Sequence, residues 1–142
     1  MESLEVFVAG SSRELDRVDD VIQSINECGG LVVPFEKQWT RLVREHNSGE
    51  RTYRNSESAL FCMMGMHRAK IFVGVIPTTP TTGFWVELGM AVSQDKKIFL
   101  LGPIPEELDN AIYLSLGHTI ADSLEELLDL LRIYKFARLP YH

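Results

Sequence analysis

Lys70-Ile71-Phe72-Val73-Gly74-Val75-Ile76 is a nearly continuous apolar run, and Pro77-Thr78-Thr79-Pro80-Thr81-Thr82-Gly83 follows it directly as a turn-forming loop. A strand with water on one face alternates polar and apolar residues, whereas this one does not, so it reads as a central strand covered on both faces. Towards the N-terminus, Leu4-Glu5-Val6-Phe7-Val8-Ala9 reads as a first strand. Behind it Leu15, Val18, Ile22 and Ile25 recur at helical spacing until Gly29-Gly30 stops the helix, and Leu31-Val32-Val33-Pro34 makes a short second strand. Residues 35–56 turn polar and irregular, with Trp39, Arg41, Arg44, His46, Arg51, Tyr53 and Arg54 scattered among them, and are expected to form a mobile or ligand-covering segment. A helix is predicted over residues 58–68.

Towards the C-terminus the spacing predicts a helix over residues 84–94 and a fourth strand, Lys97-Ile98-Phe99-Leu100-Leu101. Breaks at Gly102-Pro103 and Pro105 precede a short helix over residues 106–114 and a fifth, edge strand, His118-Thr119-Ile120. Ser123-Leu124-Glu125-Glu126 is a capping box, and Leu124, Leu127, Leu128, Leu131 and Tyr134 form the apolar stripe of the last helix. Strands alternating with helices define an α/β protein. The whole chain, residues 1–142, reads as a single flavodoxin-like (Rossmann-like) domain with a five-stranded, mostly parallel sheet and helices on both faces. Ligands of such folds sit at the carboxyl ends of the strands where the strand order reverses, which directs attention to the loops after Ala9 and Ile76.

Composition narrows the partners. The 142 residues carry 14 Lys and Arg against 20 Asp and Glu, a net charge of -6, which argues against binding duplex nucleic acid or an anionic membrane. A small anion held by a local site remains compatible. The acidic start and the lack of a long apolar run predict a cytoplasmic protein. Two cysteines, Cys28 and Cys62, make no disulfide framework. His46, His118 and His142 show no metal-ligand spacing, so neither a metal nor a cofactor is expected.

Gly10-Ser11-Ser12-Arg13 brings backbone N–H groups, two hydroxyls and a guanidinium to a helix start, which suits a phosphate; the plainer alternative is a tight turn with a serine cap. Neither a P-loop nor a GxGxxG fingerprint is present. Past the third strand, Thr81-Thr82-Gly83-Phe84-Trp85-Val86-Glu87-Leu88-Gly89-Met90-Ala91 places Glu87 in or near the first helical turn, where the helix dipole is expected to favour its anion. An anionic carboxylate suits attack on an anomeric carbon or stabilisation of an oxocarbenium-like transition state. Alternatively Glu87 simply helps the helix start. Gly89 and Ala91 are expected to let this helix approach the sheet.

Gly10-Ser11-x-Arg13 after the first strand, Gly83-x-x-x-Glu87-Leu88-Gly89-x-Ala91 after the third, and Lys96-Lys97-Ile98 together resemble the nucleoside 2-deoxyribosyltransferase superfamily, in particular its 2'-deoxynucleoside 5'-phosphate N-hydrolase branch. The likeness spans residues 6–131. It implies an enzyme that cleaves the base–sugar bond of a (deoxy)ribonucleoside 5'-monophosphate, or transfers the sugar, with Glu87 as nucleophile. Gly10, Ser11, Ser12, Arg13, Thr81 and Gly83 would bind the phosphate and substrate. The resemblance also implies a homodimer with shared active sites, closed by Asn110 of the second subunit. Two positions depart from the family: Phe7 stands where a Tyr is common, and an Asp of the helix before the third strand falls near Cys62, leaving Asp109 or Glu57 to act as its substitute.

Other residues have simpler accounts. Phe84 and Trp85 read as core or interface, whereas Trp39 and Tyr53 read as base-stacking or lid residues or as ordinary packing. His67 and Arg68 complement a helix C-terminus. Cys28 and Cys62 read as buried small hydrophobes, and Met63, Met64 and Met66 as gap-filling interface residues. Two further functions compete with the leading one. Phe84-Trp85-Val86-Glu87-Leu88 is also similar to the segment of TIR-like NAD glycohydrolases, and the missing Tyr and Asp would suit a nucleotide-binding sensor without catalysis.

Overall fold

The computed structural model describes residues 3–35, 38–49, 55–104 and 119–137, with the side chains of residues 55–61 left aside. Five strands, β1 (Leu4–Ala9), β2 (Leu31–Val32), β3 (Ile71–Val75), β4 (Lys97–Leu101) and β5 (Thr119–Ala121), form one sheet in the order β2-β1-β3-β4-β5. Every neighbouring pair is parallel. The central run behaves as its composition demands, since all five residues of β3 are buried. Phe72 of β3 stands opposite Phe7 of β1 and their rings stack at 6.2 Å. The chain passes outward from β1 to β2 and then returns across β1 to β3, so the order reverses between β1 and β3.

Among the described residues there are five helices: α1 (Leu15–Asn26), α2 (Trp39–Ser48), α3 (Asn55–Arg68) and α4 (Gly83–Ser93) between strands, and α5 (Leu124–Ala137) after β5. Val18, Val21, Ile22 and Ile25 bury the inner face of α1. Phe84, Leu88 and Ala91 do the same for α4. The stop after α1 is as expected, with Gly29 and Gly30 both in the left-handed region that glycine tolerates best. The start of α5 carries a variant of the capping box: Glu126 N–H donates to Ser123 Oγ, while the Glu126 carboxylate accepts from Asp122 N–H.

Residues 35–56 depart most from expectation. Ten of them form α2, which is closed by Gly49 in a left-handed conformation. Trp39 is buried, and its Nε1–H donates 2.7 Å to the carbonyl of Val8. That bond has a structural reason. The β1–β2 register ends at Glu5 opposite Val32, so Val8 lies beyond the reach of β2 and the indole supplies a donor. Trp39→Phe is expected to cost about 1–3 kcal/mol, because a buried carbonyl loses its partner; a denaturant titration against the parent protein measures it.

Smaller differences concern boundaries. β2 is two residues long, α3 begins three residues earlier than expected, and β5 ends at Ala121. Gly89 is not a packing glycine: a Cβ there would meet nothing within 4 Å, and Ala91 alone makes the close approach. Met66 belongs to the core, whereas Met63 and Met64 are exposed. The expected short helix over residues 106–114, Tyr53, Asp109, Asn110 and His118 lie outside the described residues. No helix among the described residues is long and apolar enough to cross a membrane.

Candidate active site

The carboxyl ends of β1 and β3 lie side by side, with Ala9 opposite Gly74. From β1 the chain enters Gly10-Ser11-Ser12-Arg13 and turns into α1. A side chain at position 10 is sterically blocked, since a Cβ there would lie 2.5 Å from Cγ2 of Val18. Ser11 is buried, and its Oγ accepts from Arg13 N–H while its carbonyl accepts from Glu14 N–H. The serine therefore does fulfil the turn-capping role, and its hydroxyl proton is not used in those two bonds. Ser12 and Arg13 are exposed, and they border a hollow of about 350 Å³ with Arg17 and Arg44 on its wall.

From β3 the chain runs through residues 76–82 into α4. Thr81 is half-buried, and Gly83 is the exposed first residue of the helix. Glu87 is the fifth residue of α4, hence in its second turn, beyond the range where the helix N-terminus favours a negative charge. The expectation of a dipole-stabilised anion is therefore reversed. Burial pushes the Glu87 carboxyl up to about 8, because an ion removed from water without a compensating charge is disfavoured. Its Oε2 is buried and has no hydrogen-bond partner among the described residues.

Cys62 of α3 is half-buried close enough to Glu87 for the two to interact: burial first, and the charge of Glu87 second, push its thiol up to about 12. It is a neutral thiol, not a nucleophile. Phe7 is fully enclosed in the core. Phe84 is also core, and Trp85 packs edge-on against it at 4.9 Å, half-buried. Trp39 is bound to β1 as described, which favours packing over base stacking. No cluster of three or more His, Cys, Asp or Glu suited to a metal occurs among the described residues.

The carboxyl edge also contains residues that spacing did not single out. Arg17 spans the ends of β3 and β4, and Glu14 holds Thr78, so the guanidinium that joins the loops is Arg17 and not Arg13. A separate cavity of about 780 Å³ opens between α1 and α2 beside Phe35, Gln38 and Arg41, and includes neither Glu87 nor the Gly10–Arg13 loop.

No family model and no curated protein matches the chain. Solved structures do. A conserved protein from Enterococcus faecalis superposes with a TM-score of 0.68 at 14% identity over 93% of this chain and 99% of its own. The CMP N-glycosidase BcmB of Clostridium botulinum gives 0.60 at 21% identity over 92% and 98%. A 2-deoxyribosyltransferase from the psychrotolerant bacterium Bacillus psychrosaccharolyticus gives 0.61 at 18% identity over 88% and 90%. The chain thus shares its α/β fold with an N-glycosidase and a deoxyribosyltransferase, in keeping with the alternating strands and helices of its sequence.

Proposed function

We propose that the protein cleaves the N-glycosidic bond of a (deoxy)ribonucleoside 5'-monophosphate, by hydrolysis or by transfer of the sugar, with Glu87 as nucleophile. The observation that carries this reading is Glu87 itself: its Oε2 is buried and has no hydrogen-bond partner among the described residues, on the helix that follows the strand-order reversal. A buried acid without a cation is costly to ionise, and a sugar carbon gaining oxocarbenium character supplies the missing positive charge at the moment of bond cleavage. The fold is shared with an N-glycosidase acting on CMP and with a deoxyribosyltransferase, which supports the same class of chemistry.

In this reading Gly10, Ser11, Ser12 and Arg13 receive the phosphate, with Thr81 and Gly83 on the opposite loop. Asn110 of a second copy closes the site. Met63 and Met64 of α3 and Val86 of α4 are exposed apolar side chains that a second copy would cover. A binder without turnover is the second reading, favoured by the neutral thiol of Cys62 beside Glu87 in the helix where an acid was expected.

One experiment separates the readings. The purified protein, with its mass measured in solution, is incubated with ribo- and deoxynucleoside 5'-monophosphates, free nucleosides and NAD, and released base is followed by chromatography. Free base from a monophosphate and a dimeric mass are expected. Nicotinamide alone moves the activity to NAD, and thermal stabilisation by a nucleotide without any released base makes the protein a sensor.

A further inference from the structure

Arg17 leaves the first turns of α1 and reaches over the carboxyl edge of the sheet. Its Nη1 donates to the Ile76 carbonyl at 2.7 Å and its Nη2 to the Gly102 carbonyl at 2.9 Å, groups at the ends of β3 and β4 respectively. Nη1 also meets Glu14 Oε2 at 3.3 Å. Glu14 in turn accepts from Thr78 twice, from the backbone N–H at Oε1 and from the hydroxyl at Oε2, both at 3.0 Å. Both side chains are largely sheltered, at 15% exposure for Glu14 and 27% for Arg17. Four bonds therefore join the start of α1 and the residue before it to the β3–α4 loop and to the end of β4, across 59 to 85 residues of sequence, and the Arg17–Glu14 pair ties them together.

We infer that Glu14 and Arg17 are positioning residues which fix the distance between the Gly10–Arg13 loop and the loop leading to Thr81 and Glu87, and so set the grip on the substrate, given the N-glycosidase reading above. Three features favour this role. A guanidinium holds two carbonyls and a carboxylate at once because its donors form a rigid fork, which an ammonium does not provide. Thr78 is exposed, and Glu14 engages both its N–H and its hydroxyl, so the carboxylate acts on the loop and not on the core. Glu87 is placed independently, by the buried Phe84, Leu88 and Ala91 of α4. Loosening the clamp therefore moves the binding loops and leaves the nucleophile in place.

The test uses Arg17→Met, Glu14→Ala, Thr78→Val and the double variant Glu14→Ala/Thr78→Val, with kcat and KM measured on the monophosphate that the panel identifies. Thr78 is exposed, so its variant keeps the fold readable even where an α1 variant does not. The expected result is a KM increase of roughly tenfold or more, a kcat changed less, and a double variant no worse than the poorer single, because small misplacements of binding groups cost up to about 100-fold in rate. Amide exchange at Thr78 is measured in parent and Glu14→Ala proteins and is expected to speed up in the variant, since the Thr78 N–H loses its acceptor. Folded variants with unchanged KM overturn the inference, as does unchanged exchange at Thr78 in Glu14→Ala. A parent protein that releases no base from any monophosphate defeats the N-glycosidase reading instead, while the exchange measurement still decides whether the clamp exists.

Discussion

Glu87→Gln is expected to lower kcat by roughly 10³-fold or more while KM and the folded structure persist. In the retaining mechanism a carboxylate oxygen forms a bond to the anomeric carbon as the bond to the base breaks, and water then cleaves the glycosyl-enzyme ester. The amide of Gln has nearly the same shape and neither the charge nor the nucleophilicity. Because desolvation raises the Glu87 carboxyl to about 8, the parent protein holds it mostly uncharged at pH 7, and a neutral Gln in its place leaves the packing of α4 undisturbed. Single-turnover release of base from a monophosphate, beside a melting curve for each protein, measures both halves. Retention of a tenth or more of the parent's turnover would assign the chemistry to another group.

The second large effect is on pH. A nucleophile must be ionised, and kcat/KM reports the ionisation of the free enzyme. With Glu87 raised from 4.5 to about 8, kcat/KM is expected to climb about tenfold per pH unit from pH 6 and to level off above pH 8. Stability moves the other way. The native state holds the Glu87 proton more tightly than the unfolded chain does, so the group's contribution is full below pH 4.5 and is lost progressively as pH rises to about 8. Melting temperature measured from pH 5 to pH 9 should therefore fall more steeply for the parent than for Glu87→Gln, while activity rises. A kcat/KM profile that is flat between pH 6 and 8 would show that Glu87 titrates low, or that its ionised form does not carry the reaction.

The β/α alternation was readable because each strand is a distinct apolar run and because β3, buried on every residue, has no polar face to confuse it. The reversal between β1 and β3 then located the two loops. α2 was hidden by composition: Trp39 and Thr40 are its only buried residues, and the rest of the helix is half-buried or exposed, so its sequence looks like a loop. Glu87 was found through its spacing from Gly83, yet its electrostatics were misjudged, because the difference between a first-turn and a second-turn acid is one residue and its desolvation depends on tertiary packing, which no local pattern reveals. Arg17 was invisible for a related reason. Its partners are main-chain carbonyls, which carry no residue identity, and they lie far along the chain.

The bond between Trp39 and Val8 has a consequence beyond its own energy. β2 pairs with only the first two residues of β1, so on that side the buried remainder of the strand has no strand partner, and main-chain groups left open in that way recruit foreign strands and seed aggregation. An indole and a helix take the place of a longer β2 there. Trp39 thus acts as a stopper on that margin, occupying the place where a further strand would add to the sheet.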